Sequence, residues 1–170
     1  MSFAYGQYGH NTELWNNKSY KLITNQDELT NYKYGFGNVV DNGCGSIVIY
    51  NILSLDGKDV SFPEVIKKVS LNGLPLFGYL GTFPHTVISI LNSFGYKTSV
   101  FFDTQNFDEI ARNHKYNIFC YISTTYGHYE LAYDFNGTDY QFVNPTLRTT
   151  FANEVKNSGN CFFKALITID

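Results

Sequence analysis

Apolar positions are spread unevenly along the 170-residue chain. The first 35 residues are polar, aromatic and rich in Asn and Gly, with no clear period. They read as a lead-in with one short strand near Tyr20–Ile23 and a helical turn near Gln26–Thr30. The segment Cys44–Leu55 differs sharply. Ile47, Val48, Ile49, Tyr50, Ile52, Leu53 and Leu55 leave almost no polar side, and Gly57 follows. Its 12 residues fit a helix better than a strand, and an apolar surface all round means burial. The opening Asp41-Asn42-Gly43-Cys44-Gly45-Ser46 reads as a turn that supplies N-cap oxygens.

Ser61-Phe62-Pro63-Glu64 carries a capping box with Pro in the first turn, which predicts a helix to about Val69, broken by Asn72-Gly73. A third helix starts at Thr82-Phe83-Pro84-His85, places Val87, Ile88, Ile90, Leu91 and Phe94 inward, and stops at Gly95. A strand over Tyr96–Phe102 and a short helix over Phe107–Asn113 follow. Beyond them, Tyr116–Ile122, His128–Phe135, Tyr140–Val143 and Phe162–Ile169 are aromatic and β-branched runs with partial alternation. Asn136-Gly137 separates two of them and signals a hairpin. Helices first and an antiparallel sheet afterwards make an α+β class, expected as a single domain over 1–170 with no internal repeat or linker.

Composition narrows the function. The net charge of −3 and 16% charged residues leave no basic cluster for nucleic acid or a membrane surface. An 18% aromatic content is incompatible with disorder over most of the chain. No window has the roughly 18 apolar residues of a membrane span. The start Met1-Ser-Phe-Ala-Tyr lacks the basic and apolar regions of a signal peptide, so a cytoplasmic location is expected. Cys44, Cys120 and Cys161 are odd in number and lack CxxC spacing, which fits neither a disulfide framework nor a zinc site. No metal or organic cofactor is implied.

Cys44 opens the most apolar helix. A thiol there meets the positive end of the helix dipole, and Gly43 and Gly45 leave room for a substrate carbonyl. The plain alternative is a small buried hydrophobe. A nucleophilic thiol needs a base, and the base needs an orienting group. His128 opens the strand before Asn136-Gly137, and Asn144 closes the strand after it, sixteen residues later. Antiparallel pairing about that turn brings the two side chains close. An Asn carbonyl oxygen can then accept from one imidazole N–H and aim the other nitrogen at the sulfur. The plain alternative is an exposed His beside a turn Asn. The Cys44 backbone N–H and the Asn38 amide, from the preceding loop, are candidate oxyanion donors. His10 and His114 are expected in polar loops and His85 near a helix start, all at the surface. Cys120 and Cys161 are expected in strands, buried and inert.

The stretch Asn38-Val-Val-Asp-Asn-Gly-Cys44-Gly-Ser-Ile-Val-Ile-Tyr-Asn, with Gly127-His128-Tyr and Phe142-Val-Asn144-Pro145, resembles the papain-like cysteine peptidases. Within them it is most similar to the C39-like peptidases, whose type members trim double-glycine leader peptides. The segment Leu76–Pro84 resembles the loop and helix start of C39-like proteins of low-GC Gram-positive bacteria. The resemblance covers about 36–170 and implies a papain-like fold, with helices, the central one starting at Cys44, packed on an antiparallel sheet. It implies a Cys44-His128-Asn144 triad with Asn38 as oxyanion donor. Two positions depart from the leader peptidases: Asn38 stands where they carry Gln, and Asn144 where they carry Asp, the latter as in papain. The implied function is a cysteine peptidase or amidohydrolase acting on a peptide or protein substrate. The alternatives are a catalytically inactive papain-like domain that binds a peptide or protein partner, and an acyltransferase or deamidase on the same fold.

Overall fold

In the computed structural model, which describes residues 2–16, 21–73, 78, 81–144 and 146–170, the chain divides into two units, Met1–Ile90 and Leu91–Asp170. The first unit runs through α1 (Ser2–Trp15), a 3₁₀ turn (Gln26–Leu29), the short antiparallel pair β1 (Lys33–Tyr34) and β2 (Gly37–Asn38), then α2 (Val39–Asn42), α3 (Cys44–Leu55) and α4 (Phe62–Leu71). Helix α5 (Pro84–Ser93) spans the boundary between the units.

Helix α1 replaces the irregular lead-in that the sequence predicts. It carries no apolar stripe because it is fastened by other forces. The Trp15 ring joins those of Tyr32, Tyr50 and Phe62 at centroid distances of 6.4, 5.3 and 5.8 Å. From α4, the Lys67 ammonium lies over the rings of Tyr5 and Tyr8 at 4.4 and 4.5 Å. The buried Asn11 amide donates to the Lys33 carbonyl at 2.9 Å and accepts from the Lys33 N–H at 2.8 Å.

Asn51 in α3 does the same for Ile23. Its Oδ1 accepts from the Ile23 N–H at 2.8 Å and its Nδ2 donates to the Ile23 carbonyl at 2.9 Å. The strand expected near Tyr20–Ile23 is therefore absent over 21–23, Tyr20 lying outside the described residues. An amide side chain satisfies both main-chain groups in place of a neighbouring strand. The expected helical turn is present as the 3₁₀ turn, with the Asn25 side chain accepting from the Asp27 N–H at 3.1 Å.

Helix α3 has the predicted bounds and is buried from Cys44 to Leu53. The N-cap position falls on Gly43, which has no side-chain oxygen, so the expected cap is not made there. Helix α4 has its predicted cap: the Glu64 carboxylate accepts from the Ser61 N–H at 2.7 Å and from the Ser61 hydroxyl at 2.8 Å. Within the segment Leu76–Pro84, residues 76–77 and 79–80 lie outside the described residues.

The second unit contains β3 (Thr98–Phe101), a 3₁₀ turn (Thr104–Asn106), α6 (Phe107–Ala111), β4 (Tyr116–Ile122), β5 (Gly127–Tyr133), β6 (Tyr140–Val143), β7 (Leu147–Thr149), α7 (Phe151–Asn157) and β8 (Phe163–Ile169). Among the described residues six strands form one antiparallel sheet in the order β3-β8-β4-β5-β6-β7. Strand β7 and helix α7 are not anticipated by the sequence pattern. Phe151 at the start of α7 packs on Phe119, Tyr140 and Phe142 at 6.4, 5.0 and 5.1 Å. The Asp108 carboxylate accepts from the Phe151 and Ala152 N–H groups at 2.8 and 2.9 Å, so a side chain from α6 closes the N-terminus of α7. Among the described residues no helix is long and apolar enough to cross a membrane.

Replacing Asn51 with Ala strands the Ile23 N–H and carbonyl in a dry environment. The expected cost is about 2 kcal/mol or more in urea unfolding, with faster amide exchange at Ile23. A loss below about 0.5 kcal/mol would show that the Ile23 segment is held by other means.

Candidate functional site

Cys44 is the first residue of α3, 6% exposed, and its neighbours leave no room for side chains. A Cβ on Gly43 would stand 2.5 Å from Val39 Cγ1 and 2.8 Å from the Val39 carbonyl oxygen. A Cβ on Gly45 would stand 2.6 Å from Thr82 Oγ1 and 2.7 Å from Thr82 Cβ. The two glycines are thus dictated by packing around the thiol: Val39 and Thr82 fill the space that the sequence reading leaves for a substrate carbonyl.

Asn38 lies at the end of β2, in the N-cap position of α2 but without a side-chain capping bond, rather than in the loop that the sequence predicts. The Gly37–Asn38 backbone pairs with β1, which fixes this segment. The Asn38 Oδ1 accepts from the Lys33 ammonium at 3.2 Å, which orients the amide and leaves Nδ2 as its donor end.

In the second unit, β4 and β5 pair in the register Tyr121↔His128 and Phe119↔Glu130, so these four side chains share one face. The His128 Nε2 lies 3.0 Å from the main-chain carbonyl oxygen of Asn144. A carbonyl can only accept, so Nε2 carries the proton and the neutral ring keeps its lone pair on Nδ1. Burial pulls the imidazole below its ordinary pKa, partly offset by this hydrogen bond, which favours the neutral ring.

Here the geometry corrects the sequence reading: the atom that holds His128 is the backbone oxygen of Asn144, not its side-chain amide. The cause is the conformation of Asn144, whose φ of 61° turns the chain at the end of β6 and swings its carbonyl toward the start of β5. Asn accepts this left-handed backbone more readily than most residues.

The remaining histidines are engaged elsewhere. His10 lies in α1 rather than in a loop, with Nε2 3.0 Å from the Asn31 carbonyl. His114 pairs with the Asp170 carboxylate at 2.9 Å, and His85 stacks on Phe83 at 5.4 Å. Cys120 is buried in β4 as expected. Cys161 departs from expectation: it precedes β8, is half-buried, and its Sγ donates to the Ser158 carbonyl at 3.0 Å. Among the described residues no group of three or more His, Cys, Asp or Glu is placed to hold a metal ion.

Sequence reasoning missed the acidic group beside His128. Tyr121 donates to Glu130 Oε1 at 3.2 Å, and its ring meets the His128 ring edge-on at 5.8 Å. Glu130 is 3% exposed and its other oxygen, Oε2, has no partner. Burial, with the nearby Glu154 carboxylate second, pushes the Glu130 carboxyl up to about 7, and burial raises Glu154 as well. The only available signal was alternation along β5, which puts Glu130 on the face of His128.

The Glu130 shift has a definite sign. Below its unfolded value near 4.5 the carboxyl is protonated in both states, and between there and about 7 only the unfolded chain ionises. Its stabilising contribution is therefore complete at low pH and lost as the pH rises toward 7. The variant Glu130→Gln, which cannot ionise, should gain urea stability relative to wild type as the pH is raised from about 5 to about 8. A pH-independent difference would contradict the shift.

No protein-family model and no curated protein matches the chain. Among solved structures it is similar to the peptidase domain of Streptococcus ComA, a bifunctional ABC transporter involved in a quorum-sensing pathway. That match has a TM-score of 0.52 and 13% identity, and covers 74% of this chain and 90% of that one. A second similar structure is a double-glycine-motif protease from an AMS/PCAT transporter in complex with the leader peptide. Its TM-score is 0.51 at 12% identity, covering 74% of this chain and 82% of that one. The mixed helical and antiparallel-sheet architecture is that of the papain-like C39 peptidase domains, the fold that the sequence resemblance implies.

Proposed function

We propose that the protein is a cysteine peptidase or amidohydrolase acting on a peptide or protein substrate through Cys44, His128 and Asn144. The observation that carries this reading is the fixed tautomer of His128, with Nε2–H bound to the Asn144 carbonyl and Nδ1 left as a base. The likeness to peptidase domains, one of them bound to a leader peptide, supports a peptide as the substrate class.

In this reading Nδ1 of His128 takes the Cys44 proton and the sulfur attacks the scissile carbonyl carbon. The C–N bond breaks, the imidazolium returns its proton to the departing amine, and an acyl-thioester remains on Cys44. Water, deprotonated by the same imidazole, hydrolyses the thioester to a carboxylic acid and restores the thiol. The developing oxyanion meets donors at the opening of α3 and the Nδ2 of Asn38, whose orientation Lys33 fixes. Asn144 orients His128 through its main chain.

A second reading, a peptide-binding domain without turnover, draws on the burial of Cys44 at 6% exposure. Incubation with a leader-type peptide carrying a Gly-Gly site, followed by mass spectrometry, separates the two. Cleavage that Cys44→Ala abolishes and His128→Ala lowers by roughly a thousandfold or more supports the peptidase. Binding without cleavage, equal in wild type and Cys44→Ala, supports the binding domain.

Because the orienting group is a main-chain carbonyl at positive φ, Asn144→Gly should lose less activity than Asn144→Val, which resists that backbone. The reverse order would return the orienting role to the side chain.

A further inference from the structure

Beneath the head of α3 lies a buried polar pair that the proposed chemistry does not use. Tyr34, at the end of β1, and Thr82, two residues before α5, are 0% and 5% exposed. Their hydroxyl groups are hydrogen-bonded to one another across 48 residues of sequence. Thr82 also makes the closest approach to Gly45, where a Cβ would fall 2.6 Å from its Oγ1. Gly78, at φ 100°, packs on the same strand end, since a Cβ there would stand 2.8 Å from the Tyr34 carbonyl oxygen. The peptide after Cys44 is therefore bounded by Thr82, and Thr82 is bounded by Tyr34.

We propose that Tyr34 is a positioning residue for the Cys44 nucleophile: its hydroxyl holds Thr82 against Gly45 and so fixes the turn that presents the sulfur. The inference rests on the proposed role of Cys44 and deepens it by naming what keeps the thiol in place. Two features favour a dedicated device over ordinary core packing. Phe would fill nearly the same volume as Tyr34 with no polar group to satisfy, so what Tyr adds at this buried position is the bond to Thr82. The Tyr34 hydroxyl also lies within electrostatic range of Cys44, with Ser46 beside it. Burial holds that hydroxyl protonated far above neutral pH, so it adds no second anion near Cys44.

The test compares wild type with Tyr34→Phe, Thr82→Val and Thr82→Ser, using the pH dependence of iodoacetamide labelling at Cys44. Tyr34→Phe and Thr82→Val should each slow labelling by roughly tenfold and move its pH midpoint upward, while Thr82→Ser, which keeps the hydroxyl, stays near wild type. The double variant Tyr34→Phe/Thr82→Val should be no slower than either single one, because both remove the same bond. A general loss of packing would lower thermal stability without moving the midpoint and without rescue by Ser. Amide exchange at residues 43–46 supplies a readout that requires no catalysis, and it should quicken in Tyr34→Phe. Unchanged exchange overturns the positioning role whatever the thiol does. Tyr34→Phe labelling at the wild-type rate, in a protein whose Cys44 labelling does depend on His128, overturns it while leaving the proposed function standing.

Discussion

There is no space for a side chain on either side of Cys44. Val39 closes over Gly43 and Thr82 closes over Gly45, each within 3 Å of where a Cβ would be. This constraint fixes the entry of α3, and α3 in turn carries much of the core of the first unit, from Ile47 to Leu53. It also decides what the thiol can be. A cysteine on a mobile turn samples many positions, whereas one set between two close-packed peptides at a helix start keeps one position relative to the helix dipole. The proposed nucleophile is thus a consequence of backbone packing before any catalytic partner is considered.

The second unit applies a comparable economy to its histidine. The main-chain carbonyl of one left-handed asparagine, accepting from Nε2–H, sets the tautomer of His128. On the same face, burial pushes a carboxyl with one oxygen unpartnered up to about 7, so below neutral pH it carries no charge. A neutral group there keeps a second charge away from the imidazole face, which is consistent with a ring that rests uncharged.

Periodicity and turn chemistry made much of this architecture legible. The apolar run of α3, the Ser61–Glu64 box and the strands β4 and β6 follow directly from them, because each is stabilised by its own local pattern. Helix α1 was hidden because a ring cluster, a lysine over two tyrosines and an asparagine on a strand end hold it, and none of these has a helical period. The Ile23 segment was misread for a related reason: an amide side chain does there what a strand would do. Strand β7 and helix α7 are short, and Phe151 and Asp108 stabilise α7 from a distance in sequence that no window spans. At the site, residue identity and spacing gave the right neighbours, His128 and Asn144. Whether side chain or main chain makes the bond depends on a single φ angle, which spacing does not encode.

The proposed function requires Cys44 to be an activated thiol whose reactivity depends on His128. Labelling of the native protein with iodoacetamide at about pH 6, read by mass spectrometry, tests it most directly, since an ordinary thiol is almost wholly protonated there. Cys44 should be labelled ahead of Cys120 and Cys161, and His128→Ala should remove this preference. Labelling of Cys44 that is absent, equal to that of the other two thiols, or unchanged in His128→Ala would contradict it.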